Sequence, residues 1–268
     1  MKKNTYYVTD FINDDFAGTT IKRKPLKKGY KFYHENPIFL FFAFIFYRII
    51  VTPLVFLYQK IFWREKIIGR AKLKKCLKEG YFMYGNHTLM AGDAFTPTLA
   101  AFPKKTYILV NPDATSIPFV SSLVEMLGGM PVPDSKAQIK PFCEAIKKHA
   151  QKCHVITIYP EAHIWPLYTD IRPFKDVSFR YPAEENKPIF TFTRTYTRRR
   201  FSSKPKCTVY IDGPFFPDEN LTVKENQKIL RDKAYNAMKE RAKLSDYSVN
   251  EYIEVIEEKE IGELKEAV

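Results

Sequence analysis

The chain has 268 residues, 45% of them hydrophobic, enough apolar material for one catalytic domain plus an appendage and too much for wholesale disorder. Its formal net charge of +13 calls for a polyanionic neighbour, either a nucleic acid or an anionic bilayer. Only 10 glycines are present, and neither GxGxxG nor GK[ST] occurs, which excludes the common glycine-rich nucleotide loops.

Residues 1 to 36 are polar and then basic, with Lys22, Arg23, Lys24, Lys27, Lys28 and Lys31 clustered. The first strongly apolar run starts only at Ile38, so no cleavable signal peptide is expected. From Pro37 to Trp63 the chain is at its most apolar, in two runs that together approach the roughly 20 residues a bilayer crossing needs. Arg48 would cost about 2.5–3.5 kcal/mol at a bilayer centre, and Pro53 would kink a helix. Basic residues crowd both flanks, from Lys22 to Lys31 before and Lys60, Arg64, Lys66 and Arg70 after. The positive-inside rule then puts both ends on the cytoplasmic face of the cell membrane. A re-entrant pair of helices, or helices lying in the interface, is therefore expected rather than a single crossing.

Beyond Ile67 short apolar runs alternate with amphipathic stretches. Tyr81 to Tyr84, Thr106 to Val110, Val155 to Tyr159, Pro188 to Thr193 and Cys207 to Asp212 read as buried strands. One helix is expected to open at Ser135 with Gln138 completing a capping box, its apolar face carrying Ile139, Phe142, Cys143 and Ile146. Another opens at Thr222 with Glu225 and runs towards Leu244. The fold class is thus α/β, a mixed, mostly parallel sheet flanked by helices, with an N-terminal membrane-associated helical segment. Residues 1–66 form the basic lead-in and apolar segment, 67–250 the α/β domain, and 251–268 an acidic tail with seven Glu against two Lys. Cys76, Cys143, Cys153 and Cys207 stand apart without a CxxC pair, so reduced thiols and no metal site are expected.

The stretch Tyr84-Gly-Asn-His-Thr-Leu-Met-Ala-Gly-Asp93 follows directly on a strand. His87 would stand at the carboxyl end of that strand, the usual edge for sites in open α/β sheets, and Asp93 would open the next helix. An imidazole with a carboxylate beside it is the ordinary equipment for taking a proton from a hydroxyl. A His and an Asp at this spacing also occur by chance in unremarkable turns, so the pair alone decides nothing.

Four ordered segments add context. Asn86-His87-Thr88 with Asp93, Leu127-Gly128-Gly129-Met130-Pro131-Val132, Ile158-Tyr159-Pro160-Glu161-Ala162 and Lys187-Pro188-Ile189-Phe190 resemble, in order and spacing, the four motifs of the glycerolipid acyltransferase family. The likeness is to its 1-acylglycerol-3-phosphate acyltransferases in particular and covers about two-thirds of the chain; Arg172-Pro173-Phe174-Lys175 looks like the segment joining the third and fourth motifs. Two departures stand out. The Asp follows the His by six residues instead of five, a residue that a bend at Gly92 would absorb, and the arginines taken to hold the acceptor's phosphate are replaced near Asp134 and after Glu161.

The resemblance implies acyl transfer from acyl-CoA or acyl-carrier protein to a lysophospholipid hydroxyl, with 1-acylglycerol-3-phosphate as expected acceptor and phosphatidic acid as product. His87 would be the base and Asp93 its orienting partner, with backbone amides at the following helix start stabilising the oxyanion. Asn86, Thr88, Gly128, Gly129, Glu161, His163 and Lys175 would line the substrate site, His163, Lys175, Lys136 and Arg172 being the candidates to replace the missing arginines. Glu161 would meet the acceptor head group; read by itself it is equally a helix-start carboxylate. No cofactor is expected, because the acyl donor is a substrate. Partners are the lipid acceptor, the thioester donor and an anionic membrane surface; no nucleic-acid motif is present. The alternatives are another lysolipid or lipid alcohol as acceptor, a thioesterase, or a non-enzymatic membrane or nucleic-acid binder.

Overall fold

A computed structural model describes residues 3–18, 24–115 and 120–255. Lys22 and Arg23 of the basic cluster and residues 256–268 of the acidic tail lie outside the described residues.

Among the described residues, seven strands form one sheet in the order β2-β8-β7-β3-β6-β4-β5. They are β2 (Lys66–Ile68), β3 (Tyr81–Gly85), β4 (Thr106–Val110), β5 (Gly129–Pro131), β6 (Val155–Ile158), β7 (Ile189–Arg199) and β8 (Ser202–Phe215). Neighbours from β7 to β5 run parallel, while β8 returns antiparallel to β7 and carries β2 parallel to itself. The sheet is mixed and mostly parallel, as its continuous apolar strands imply. Strand side chains alternate between two cores. Phe82 and Tyr84 pack with Phe142, Ile146, Leu230 and Met238 on one face. Tyr81 and Met83 pack with Phe190, Phe192, Val209 and Ile211 on the other.

The helices hold two lessons on capping. Val223–Ala242 starts at Thr222 with both halves of the capping box formed, and buries Leu230, Ala234 and Met238. Lys136–Gln151 also starts where expected, but Ser135 makes no side-chain cap. Gln138 instead turns its carbonyl to the Asp134 N–H at 3.2 Å and its amide to the Leu26 carbonyl at 3.4 Å, tying the helix to the N-terminal lead-in. Ile139, expected inward, is half exposed.

The apolar segment is one continuous helix over Pro37–Trp63, not a re-entrant pair. Asn36 caps its start by accepting from the Ile38 and Phe39 N–H groups, and Arg64 ends it in the left-handed region. Pro53 does not break it because the backbone widens to a π-helix over Ile45–Val51 just before, and the Thr52 hydroxyl donates to the Tyr47 carbonyl at 2.5 Å. That wide turn keeps Ala43, Tyr47, Thr52, Val55 and Gln59 on one buried face. The opposite face is open: Ile38, Ile49, Leu54 and Ile61 are each about 60–70% exposed. By length and composition the helix could cross a membrane, with mean hydropathy 2.3.

The first residues of the expected tail are ordered. Glu251–Glu254 forms β9, which pairs parallel with β1 (Thr5–Val8) in a separate two-stranded sheet. This clasp sits on Trp165, whose ring stacks on Tyr252 at 5.0 Å and meets Phe16 edge-on.

Candidate active site

β3 ends at Gly85, and its last turn delivers Asn86 and His87 to the carboxyl edge of the sheet. Asn86 turns inward. Its amide donates to the Arg194 carbonyl at 3.0 Å and its carbonyl accepts the Arg194 N–H at 2.8 Å, so it behaves as an extra rung between β3 and β7. The His87 backbone is pinned on both sides: its N–H donates to Glu161 at 2.9 Å and its carbonyl accepts from the Trp165 N–H at 3.1 Å. The imidazole stacks on Tyr159, ring centroids 4.4 Å apart.

Asp93 lies within a single helical turn, Met90–Asp93, closing it instead of opening a helix. One carboxylate oxygen, Oδ2, accepts the Thr88 and Leu89 N–H groups at 2.8 Å each and meets His87 Nδ1 at 2.9 Å. With Nδ1–H committed to that oxygen, Nε2 carries the lone pair of the ring. The six-residue spacing is therefore absorbed by the turn itself. Gly92 serves it through space, not through a positive φ: a Cβ there would collide with the Leu89 side chain. The Thr88 and Leu89 amides, at the helix start where an oxyanion was expected to bind, already hold Asp93.

His87 opens onto a cavity of about 830 Å³, within the range of ligand sites. Tyr47, Val51 and Val55 of the apolar helix form part of its wall, together with Phe95, Val110 and Leu127. His163, Lys175 and Gly129 also line it. Gly128, with φ +92°, is needed for close approach to the Thr106 carbonyl and does not line the cavity.

Three expected substrate contacts point elsewhere. Asn86 is spoken for by β7, and the Thr88 hydroxyl pairs with the Tyr196 hydroxyl at 2.7 Å. Glu161 is fully buried, accepting from His87 N and Arg172 N and pairing with the Arg172 guanidinium at 3.5 Å. Burial pushes its carboxyl pKa up, while Arg172 and the two amides pull the other way. Arg172 is equally enclosed, its guanidinium 4.7 Å from the Trp165 ring centre, so it is not available to a ligand. Lys136 belongs to the first turn of its helix and does not line the cavity either. Of the four basic candidates only His163 and Lys175 line it, and His163 faces Asp15 at 3.5 Å.

The dyad is part of a larger buried set that the local strings do not announce. Arg194 brings one guanidinium nitrogen to 3.2 Å from Asp93 Oδ1 and the other to 2.5 Å from Glu65. It also donates to Thr96 Oγ1 at 2.6 Å. Gln59, in the last turn of the apolar helix, donates to Thr96 Oγ1 and to the Gly92 carbonyl. Tyr159 donates its hydroxyl to the Asp93 carbonyl at 2.5 Å, and burial first of all keeps that phenol protonated. The sequence signal was the charge of Arg194 in an otherwise uncharged run, Ile189 to Thr197, since a charged residue in a central strand is seldom buried unless paired. Among the described residues, no three His, Cys, Asp or Glu side chains meet so as to hold a metal ion.

A solved structure is similar over most of the chain. It is the 1-acyl-sn-glycerophosphate (LPA) acyltransferase PlsC from Thermotoga maritima, with a TM-score of 0.54 over 79% of this chain and 89% of that one. The chain shares the fold of that protein. Sequence identity to PlsC is only 15%. No family model matches the chain, and no curated protein matches it in sequence. What is shared with PlsC is thus the path of the backbone.

Proposed function

We propose that the protein is an O-acyltransferase that moves a fatty acyl group from a thioester, acyl-CoA or acyl-carrier protein, to the hydroxyl of a lysophospholipid at an anionic membrane surface. The observation that carries this reading is the His87–Asp93 pair opening onto a cavity walled in part by the apolar helix. His87 Nε2 takes the acceptor hydroxyl's proton as the oxygen attacks the thioester carbonyl; the tetrahedral intermediate expels the thiolate, which takes the proton back from the imidazolium. Asp93 holds the ring and stabilises its charged form. No acyl-enzyme is required. A backbone amide from Met90 onward is the candidate for the oxyanion, because those of Thr88 and Leu89 serve Asp93.

The acceptor we favour is 1-acylglycerol-3-phosphate, giving phosphatidic acid, the substrate named for PlsC. Lys175 and His163 would meet its phosphate. The enclosure of Arg172 favours a second reading, in which the acceptor is another lysolipid or lipid alcohol. The exposed face of the apolar helix would enter the cytoplasmic face of the membrane, with Arg64, Arg199 and Lys204 around its end facing lipid phosphates.

Purified protein is incubated with labelled acyl-CoA and a panel of acceptors. A labelled diacyl product is expected, in highest yield from lysophosphatidic acid. A different preferred acceptor selects the second reading. Free fatty acid without acylated lipid would instead show a thioesterase, and no turnover of any thioester would remove the enzymatic reading.

A further inference from the structure

Asp93 does not face His87 alone. The carboxylate has a cation at its back: Arg194 lies 3.2 Å from Oδ1 while His87 Nδ1 lies 2.9 Å from Oδ2. All of Arg194, Asp93 and Glu65 are buried, at 3% exposure or less. In a low-dielectric site a guanidinium so close cancels much of the field a carboxylate exerts on its other neighbour. Asp93 and Arg194 by themselves would form a nearly neutral unit, a poor partner for an imidazole that must accept a proton. Glu65, 2.5 Å from the far side of the same guanidinium, restores one net negative charge beside His87.

We infer that Glu65 and Arg194 are positioning residues of the dyad, Arg194 fixing the Asp93 carboxylate and Glu65 offsetting the charge of Arg194, so that His87 keeps its strength as a base. The inference rests on the acyltransferase reading for its kinetic consequence but not for its electrostatic one. Geometry supports it from three elements. Asn86 fixes the Arg194 backbone to β3; Thr96 receives both Arg194 and Gln59; and the Glu65 N–H donates to the Gln59 carbonyl at 3.1 Å, fixing Glu65 to the end of the apolar helix.

The other charged or titratable groups around the dyad do not upset this balance. Glu161 is compensated by Arg172. Burial raises the Tyr159 and Tyr196 phenols well above their usual range, and it pushes the Cys207 thiol up to about 11, so all three stay protonated at neutral pH. Asp15, His163 and Lys175 line the cavity outside this buried set.

The test is a titration of the His87 imidazole by proton–nitrogen NMR of the full-length protein in detergent micelles, together with kcat and KM for acyl transfer across pH. In Glu65→Gln the proton affinity of His87 should fall about tenfold. The acidic limb of the kcat profile should move the same way, to lower pH, with KM unchanged. Arg194→Gln removes the opposing charge, so its limb should move to higher pH. The double variant restores the original net charge and should return the midpoint to within about twofold of wild type. A merely structural role would lower activity in both single variants without moving the midpoints in opposite directions. If Arg194→Gln does not fold, Glu65→Gln decides by itself, and an unmoved His87 midpoint there overturns the inference. Absence of acyl transfer in wild type would remove the acyltransferase reading while leaving the NMR titration to judge the charge set.

Discussion

At the scale of single residues, the site is organised around one oxygen. Asp93 Oδ2 receives His87 Nδ1 and two backbone amides, so the carboxylate both shapes the Met90–Asp93 turn and orients the ring. Asp93→Asn keeps an acceptor for the amides but loses the charge that stabilises imidazolium. Its kcat should fall by about 10²–10⁴-fold with KM nearly constant, read from initial rates at saturating acceptor. Glu161→Gln probes a different kind of support. It leaves Arg172 buried without its counter-charge, and should cost about 3 kcal/mol of stability, seen as a lower denaturant midpoint. His87 and Asp93 were legible in the sequence because their motif is local. Arg194 stood out only as a lone charge in its strand, and its pairing with Glu65 was not legible, because the two meet across 129 residues of chain through strand pairing that no local string encodes.

Among elements, the strands were the more legible. Their apolar runs are long and bounded, and each expected run lies within or overlaps a strand of the sheet. β7 runs past its expected end through Arg194, Thr195 and Tyr196, whose polar side chains hide the pattern although they are buried, and β8 starts earlier than expected in the exposed stretch Ser202 to Lys204. The apolar helix runs on past Pro53 for a physical reason: a π turn and the Thr52 hydroxyl absorb what a proline removes, and neither follows from composition. The helix Lys136–Gln151 offers a test by pH. Its His149 stacks on Tyr107 of β4 at 3.6 Å and lies 3.1 Å from His154, Nδ1 to Nδ1. Burial lowers the pKa of His149 to about 3 and that of His154 to about 4. The folded protein therefore keeps both rings neutral, while the unfolded chain takes up protons below about pH 6.5. Stability present above that pH should decline as pH falls from about 6.5 towards 4. Thermal melts across this window should show a smaller decline in His149→Phe.

For the whole molecule, the distribution of surfaces matters more than the total charge. The open apolar face of the Pro37–Trp63 helix ends beside the hairpin tip of β7 and β8, where Arg199 donates to the Phe62 carbonyl at 3.0 Å and Lys204 lies 5.5 Å from the Phe62 ring centre. Phe201 at the tip is 89% exposed, and Arg198 and Arg200, just before it in the chain, are exposed as well. Basic side chains near an anionic leaflet contribute about 1 kcal/mol each. Arg198→Ala with Arg200→Ala should then weaken binding to phosphatidylglycerol vesicles by roughly 30-fold at low salt, measured by co-sedimentation, and leave binding to neutral vesicles unchanged. Composition showed a net basic chain but not where its charges gather; β2 pairing with β8 is what brings the helix end and the hairpin together.

The most direct measurement is the steady-state rate of labelled acyl transfer to lysophosphatidic acid in mixed micelles by wild type and His87→Ala, with equal fold confirmed by circular dichroism. A general base opening onto the cavity predicts diacyl product from wild type and a loss of at least 100-fold in kcat on removal of the imidazole. Undiminished turnover in His87→Ala would contradict the account at its centre.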